Sequence, residues 1–268
     1  MPEGDSVAGH AEMLAPMLVG RRIIEVGGTS PSLRMGSGHV LDSTVEAVRT
    51  VGKNLIIDLS GGYSIRVHLG MTGRWLMVPS TETPSGSARL LLGTEGHRVA
   101  CFAAPNVTVD RTRVIDAGLE RLGPHLLGDF DEEQFLERAR LLASRSIGEV
   151  LLDQRVLAGI GNVYKSETLF LEKVHPWAPV KTIDDATLLA LAERAARLLA
   201  ANVGPGPRST TGRRSRGSET WVYGRAGKPC RRCASRIEQR RQGGRVTYWC
   251  PVCQPLVESE QSASWDAQ

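Results

Sequence analysis

The chain lacks the features that mark several protein classes. No apolar run approaches the ~18 residues that a membrane-spanning helix needs. No basic-then-apolar leader opens the sequence. A membrane span and a signal peptide are therefore not expected, and a cytosolic, non-secreted protein is. Cysteine is scarce outside one segment. Four of the five lie between residues 230 and 253, and Cys101 sits alone in an apolar run that reads as core. Aromatic residues make up 5 % of the chain beside 41 % hydrophobic residues, the balance of an ordinary soluble protein. No internal repeat is apparent. A length of 268 residues allows one large domain or two to three small ones.

What is present is concentrated near the C-terminus. Cys230-Arg231-Arg232-Cys233 is followed, sixteen residues later, by Cys250-Pro251-Val252-Cys253. Two CxxC pairs at that separation can place four sulfurs tetrahedrally around one Zn²⁺, each at ~2.3 Å, and such closed sites are structural. Two disulfides or unpaired thiols are the competing readings. Gly243-Gly244 is a turn signal, and Val246 to Trp249 reads as a strand leading into the second pair, so a zinc ribbon is expected. Acidic residues nearly vanish beside it. Between Pro205 and Arg245 twelve basic side chains face only Glu219 and Glu238, a local charge of +10; the overall +4 leaves the remaining chain at −6. An arginine field beside a zinc ribbon points to a polyanion, most simply nucleic acid. A solvated basic loop is the alternative.

The chain opens Met1-Pro2-Glu3-Gly4-Asp5. Removal of the initiator Met1 would leave Pro2 with a secondary amine, a nucleophile able to form an iminium with an aldehyde carbon. Glu3 beside it can donate or accept a proton. The same letters also make an ordinary helix start, Pro in the first turn and acids at the positive end of the dipole. Apolar spacing carries that helix to about Val19, and Gly20 ends it. Residues 23 to about 109 read as short strands punctuated by Gly27-Gly28 and Gly61-Gly62, as in an antiparallel sandwich or barrel. Lys53 opens one strand. His68 to Arg74 forms a glycine-rich turn presenting Met71, tucked back or projecting as a wedge. Helical periodicity takes over from Asp131 to Leu142, Ile147 to Leu152 and Asp184 to Ala200. Gly159-Ile160-Gly161 makes a tight turn, with a helix beginning near Asn162 whose first N–H groups suit a phosphate. Glu167 reads equally as a pocket residue or a surface charge. Gly204 to Pro207 stops the last helix.

Taken in order, Met-Pro-Glu, Gly-Lys at a strand start, Leu-Gly-Met-Thr-Gly, Gly-Ile-Gly-Asn-Val-Tyr, Val-Tyr-Gly-Arg and the four cysteines resemble the formamidopyrimidine-DNA glycosylase/endonuclease VIII family over about residues 1 to 255. The resemblance implies an α+β multidomain fold. An N-terminal helix and antiparallel β-sandwich (1–124) is followed by a helix–two-turn–helix domain (125–204), a basic loop (205–219), a four-cysteine zinc ribbon (220–255) and a disordered tail (256–268). It implies a monomeric base-excision repair enzyme, nucleoid-associated in the cytoplasm, that acts on damaged or abasic double-stranded DNA. Pro2 and Glu3 are its catalytic pair. Lys53, Asn162 and Arg245 grip phosphates, with Lys53 and Arg245 supporting catalysis and His68 beside them. Met71 fills the void left by the flipped nucleotide, with its companions sought in residues 106–113. Cys230, Cys233, Cys250 and Cys253 hold one structural zinc. Met-Pro-Glu-Gly-Asp is similar to the endonuclease VIII branch and, with the short 204–219 segment, favours oxidised pyrimidines. An enzyme that mainly nicks abasic sites and a non-catalytic DNA-binding module are the alternatives.

Overall fold

The computed structural model describes residues 2–79 and 88–256. Helix α1 (Gly4–Leu18) is followed by β1 (Ile23–Gly27), α2 (Pro31–Val40), β2 (Val45–Val51), β3 (Asn54–Leu59), β4 (Tyr63–His68), β5 (Arg74–Met77), β6 (Ala88–Thr94), β7 (His97–Phe102) and β8 (Asn106–Arg111). Among the described residues these strands form two four-stranded antiparallel sheets, β1-β6-β7-β5 and β2-β3-β4-β8. Their inner faces share one core with α1, where Val7, Leu14 and Leu18 pack with Ile23, Val45, Leu55, Ile57, Leu90 and Val99. The outer faces are covered in part, Ile56 by Ile115 and Leu119, and Leu91 and Ala100 in a small cluster with Ala88, so the central strands bury runs of residues where a sheet with one wet face would alternate.

The strand-rich reading of residues 23–109 needs one correction. Residues 31–40 are helix α2, started by Pro31 and turned inward on Leu33, Gly36 and Val40. A Cβ at Gly36 would stand 2.7 Å from Val109 Cγ1, so glycine lets the helix lie against β8.

Helices α3 (Thr112–Leu119), α4 (Glu132–Arg140), α5 (Ile147–Val150), α6 (Asn162–Leu171) and α7 (Asp185–Ala200) follow. Asp131 and Asp184 cap α4 and α7 by accepting from the N–H groups of Gln134 and Thr187. The expected helix from Ile147 to Leu152 is a single turn. Here α5 packs into a second core with Tyr164, Leu169, Leu188, Leu191 and Leu199. The last strands, β9 (Glu238–Gln242) and β10 (Arg245–Trp249), make a hairpin whose turn is Gly243-Gly244, both at positive φ. A small core of Phe170, Val222, Cys230, Ile237 and Cys250 sets this hairpin on the end of α6. So α6, with nine of its ten residues buried, is the beam on which the other parts meet. The tail expected to be disordered lies outside the described residues beyond 256.

Candidate active site

The N-terminal residues and the start of α6 form one unit. Gly4 donates its N–H to the Gly159 carbonyl at 2.9 Å. Glu3 precedes α1 yet makes no cap bond to it. Its carboxylate instead accepts from the N–H groups of Gly161 (2.8 Å), Val163 (2.9 Å) and Tyr164 (3.4 Å). The helix start expected to hold a phosphate is thus taken by a carboxylate of the protein itself, which answers the same unsatisfied donors and dipole. Gly161 is required here, because a Cβ would lie 2.4 Å from Glu3 Cδ. Burial pushes the Glu3 carboxyl above its ordinary range, while Arg208, the Val163 N–H and Lys53 oppose that rise and Asp5 adds to it.

Two elements bring positive charge near this carboxylate. From the sandwich, Lys53 stands at the β2–β3 turn, beside Gly52 at φ +60. Burial lowers the Lys53 amine; Glu3 works against that shift, and Arg245 and Arg208 add to it. His68 ends β4 opposite Asn54, and burial together with Lys53 and Arg66 lowers its imidazole. The other element is the segment after α7. Arg208 spans 203 residues of sequence to reach Asp5, pairing Nε and Nη2 with the two carboxylate oxygens at 2.7 Å each. Its Nη1 lies 3.9 Å from Glu3 Oε1. Tyr164 donates its hydroxyl to Asp5 at 2.8 Å, and the guanidinium sits 5.0 Å over the Tyr164 ring. Between α1 and this strap opens a cleft of about 740 Å³, lined by Pro2, Ser6, His10, Met13, Asn202 and Arg208 among others.

Asn162 opens α6 and Arg245 opens β10, one residue before the Val246 that Asn162 bonds. Asn162 is buried and donates its amide to the Val246 carbonyl at 2.7 Å, so its donor is directed at β10. Arg245 opens β10 and is exposed. Lys165, one turn after Asn162, is wholly buried with Nζ 2.5 Å from Thr247 Oγ1. Met71 is 63 % exposed on the turn before β5, a projecting apolar side chain. Residues 106–113, where its companions were sought, are strand β8 and the start of α3, with Asn106 paired to His68.

The four cysteine sulfurs lie within 4.8 Å of one another, with Cys230–Cys253 at 3.8 Å and Cys233–Cys250 at 3.5 Å. A tetrahedron with ~2.3 Å Zn–S bonds has edges of about 3.8 Å, whereas a disulfide needs ~2.05 Å. The donor set fits one Zn²⁺, which would fix the hairpin carrying Arg245.

Several residues were invisible to sequence reasoning. The arginine field is only in part a solvent-facing surface. Arg208 is ion-paired, Arg225 is buried and donates to the Pro229 carbonyl at 2.8 Å, and Arg232 lies 4.6 Å over the Phe170 ring. Glu167, readable either way, is fully buried. It accepts from the N–H groups of Trp221, Val222 and Tyr223 at 2.7, 2.8 and 2.7 Å and from the Thr210 hydroxyl. The partners of Asp5, Tyr164, Lys165 and Arg208 gave no local signal, because each acquires its surroundings from chain more than 80 residues away.

Residues 1–106 match the profile described as formamidopyrimidine-DNA glycosylase N-terminal domain. Residues 122–213 match the H2TH domain of the same glycosylase, and 227–256 the zinc finger found in FPG and IleRS. The chain is 40 % identical to the probable endonuclease 8 2 of Streptomyces coelicolor, over 95 % of this chain and 94 % of that protein. It is 38 % identical to the DNA-(apurinic or apyrimidinic site) lyase Nei2 of Mycolicibacterium smegmatis, over 95 % and 99 %. A Lactococcus lactis Fpg in complex with N7-benzyl-Fapy-dG DNA superposes with a TM-score of 0.82 at 26 % identity, covering 95 % of this chain and all of that one. Another complex of that enzyme, with DNA containing an oxidised pyrimidine, gives 0.81 at 25 %.

Proposed function

Given that this chain belongs to the formamidopyrimidine-DNA glycosylase/endonuclease VIII family, on its endonuclease VIII branch, we propose that it excises oxidised bases, pyrimidines first, through a Schiff base on Pro2. The family chemistry is that of a DNA glycosylase with abasic-site lyase activity, and its partner is damaged or abasic DNA. With Met1 removed, the Pro2 nitrogen attacks C1′ of a nucleotide turned out of the duplex, and the base leaves with the electron pair of the glycosidic bond. Turning it out costs a few kcal/mol, and Met71 fills the vacated stack. Glu3 takes the proton shed by the Pro2 nitrogen and delivers it to the ring oxygen, which opens the sugar ring and leaves an iminium between Pro2 and C1′. The iminium acidifies C2′–H. Loss of that proton expels the 3′ phosphate, and a second elimination expels the 5′ phosphate.

The observation that carries this reading is the position of Glu3. A proton-transfer group is buried next to Pro2, which lines the 740 Å³ cleft, with Lys53, Arg208 and Arg245 all within electrostatic reach of the site. A base attached to C1′ must enter the cleft that Pro2 lines. Lys53, Asn162 and Arg245 receive the flanking phosphates, with His68 at their edge; Asn162 does so by turning its amide away from Val246. The zinc, when bound, supplies rigidity and no chemistry. The pyrimidine preference rests on the Met-Pro-Glu-Gly-Asp start and the short 204–219 segment.

Borohydride trapping on abasic DNA tests the mechanism. Wild type is expected to give a covalent adduct, and Pro2→Gly carrying an extra blocking N-terminal residue to give none. A wild-type protein without an adduct, or an undiminished adduct from the blocked variant, refutes the imine. A non-catalytic binder would bind the same DNA and never be trapped.

A further inference from the structure

Glu3 is completely buried, and Arg208 is the cation within 4 Å of it among the described residues. That cation is shared. Among the described residues it bonds Asp5, itself 3 % exposed, through Nε and Nη2 at 2.7 Å each, and Nη2 also reaches Ser6 Oγ at 3.1 Å. Asp5 is further fixed by the Tyr164 hydroxyl, and the Tyr164 N–H reaches Glu3. Nothing in the chemistry above requires a second buried acid beside Glu3, or an arginine brought in from beyond α7. A packing role alone would be met at lower electrostatic cost by apolar side chains.

We propose that Asp5 and Arg208 are positioning residues for Glu3. Arg208 holds the Glu3 carboxylate ionised within the α6 N-terminus, and Asp5 meters how much of that positive charge Glu3 feels. This rests on the function proposed above and goes beyond it, because that chemistry assigns neither residue a part. The other charged and titratable groups facing Glu3 are Lys53 from the β2–β3 turn, Lys165 and Tyr164 from α6, and Tyr223 from the segment before the ribbon. Of these, Tyr164 touches both members of the pair, donating its hydroxyl to Asp5 and lying under the Arg208 guanidinium. The pair also fastens the strap to α1. A Cβ at Gly9 would stand 3.0 Å from the Gly204 nitrogen, so strap and helix approach backbone to backbone.

The two members predict opposite effects. Arg208→Gln removes the attraction and leaves Glu3 facing Asp5, so Glu3 gains its proton at higher pH. Asp5→Asn releases the Arg208 charge toward Glu3, which then gains its proton at lower pH. The readout is the pH dependence of single-turnover cleavage of abasic-site DNA. Glu3→Gln identifies which limb belongs to Glu3. That limb should move up in Arg208→Gln and down in Asp5→Asn by about one pH unit each, and Arg208→Lys should return it toward wild type. Limbs that move together, or not at all, in variants with wild-type thermal stability and zinc content overturn the proposal. If Arg208→Gln fails to fold, Asp5→Asn and Arg208→Lys decide it by the same criterion. A wild-type protein that neither cleaves nor traps abasic DNA refutes the function proposed above, a result distinct from immobile limbs in an active enzyme.

Discussion

Replacing Glu167 by alanine should loosen the zinc-bearing end of the molecule from the rest. The carboxylate lies fully buried in α6 and accepts three backbone N–H bonds of 2.7 to 2.8 Å from the consecutive residues Trp221, Val222 and Tyr223, besides the Thr210 hydroxyl. It therefore ties down both the strap and the lead into the ribbon. An orphaned buried donor costs about 1–3 kcal/mol. Three of them, partly relieved by water entering the cavity and by the removed charge no longer being buried, amount to about 3–5 kcal/mol. At about 2–4 °C per kcal/mol for a chain of this size, the midpoint should fall by roughly 10 °C. Glu167→Gln should fall by less, since it keeps one acceptor but presents an amine to the donors of the other oxygen. Thermal unfolding, zinc release to a chromogenic chelator and binding to abasic DNA should change together. A Glu167→Ala protein melting within ~2 °C of wild type, with zinc held as tightly, would refute the reasoning, since such a shift corresponds to under about 1 kcal/mol.

Other changes follow from single distances. Gly161→Ala drives a methyl to 2.4 Å from Glu3 Cδ. Displacing a reacting group by about 1 Å costs roughly 100-fold in rate, so trapping should fall that far while zinc content holds; unchanged trapping would mean that Glu3 is not placed by this turn. Burial brings the Lys165 amine down to about 7, with Glu3 and Glu149 opposing and Arg245 adding to the shift. Between pH 7 and about 10 the unfolded chain binds this proton and the folded one does not, so wild type should gain stability with rising pH relative to Lys165→Met. Parallel denaturation curves across that range would remove the basis for it. Arg245→Ala should weaken binding to every DNA sequence alike and reduce the salt slope by about one. Chelating the zinc should do at least as much, and salt titrations that superpose on wild type would exclude a phosphate contact at Arg245.

Much of the architecture could be read directly from the chain. The CxxC pairs and the Gly243-Gly244 turn placed the ribbon, because metal geometry is carried by cysteine spacing. Asp184 and the 3.6-residue apolar period placed α7 to within a residue of where it begins. Gly159-Ile160-Gly161 marked the turn before α6. Helix α2 escaped notice, because its burial depends on Gly36 meeting Val109 of β8 and its Ser32, Gly36, Ser37 and Gly38 read as turn residues.

The letters by themselves determined α1, α7, the ribbon and most of the strands, in order, and the donor set for zinc, since those are written in spacing and period within a few residues. The identity of the anion at the α6 N-terminus was decided only in three dimensions. Any anion satisfies those N–H groups, and which one arrives depends on residues 158 to 161 positions apart being brought together. The same holds for Asp5 with Arg208, for the burial of Lys165 and Glu167, and for the arginines that turn inward. A charge carries no mark in sequence of the partner it will meet, because long-range electrostatics is settled by packing and packing by the whole fold.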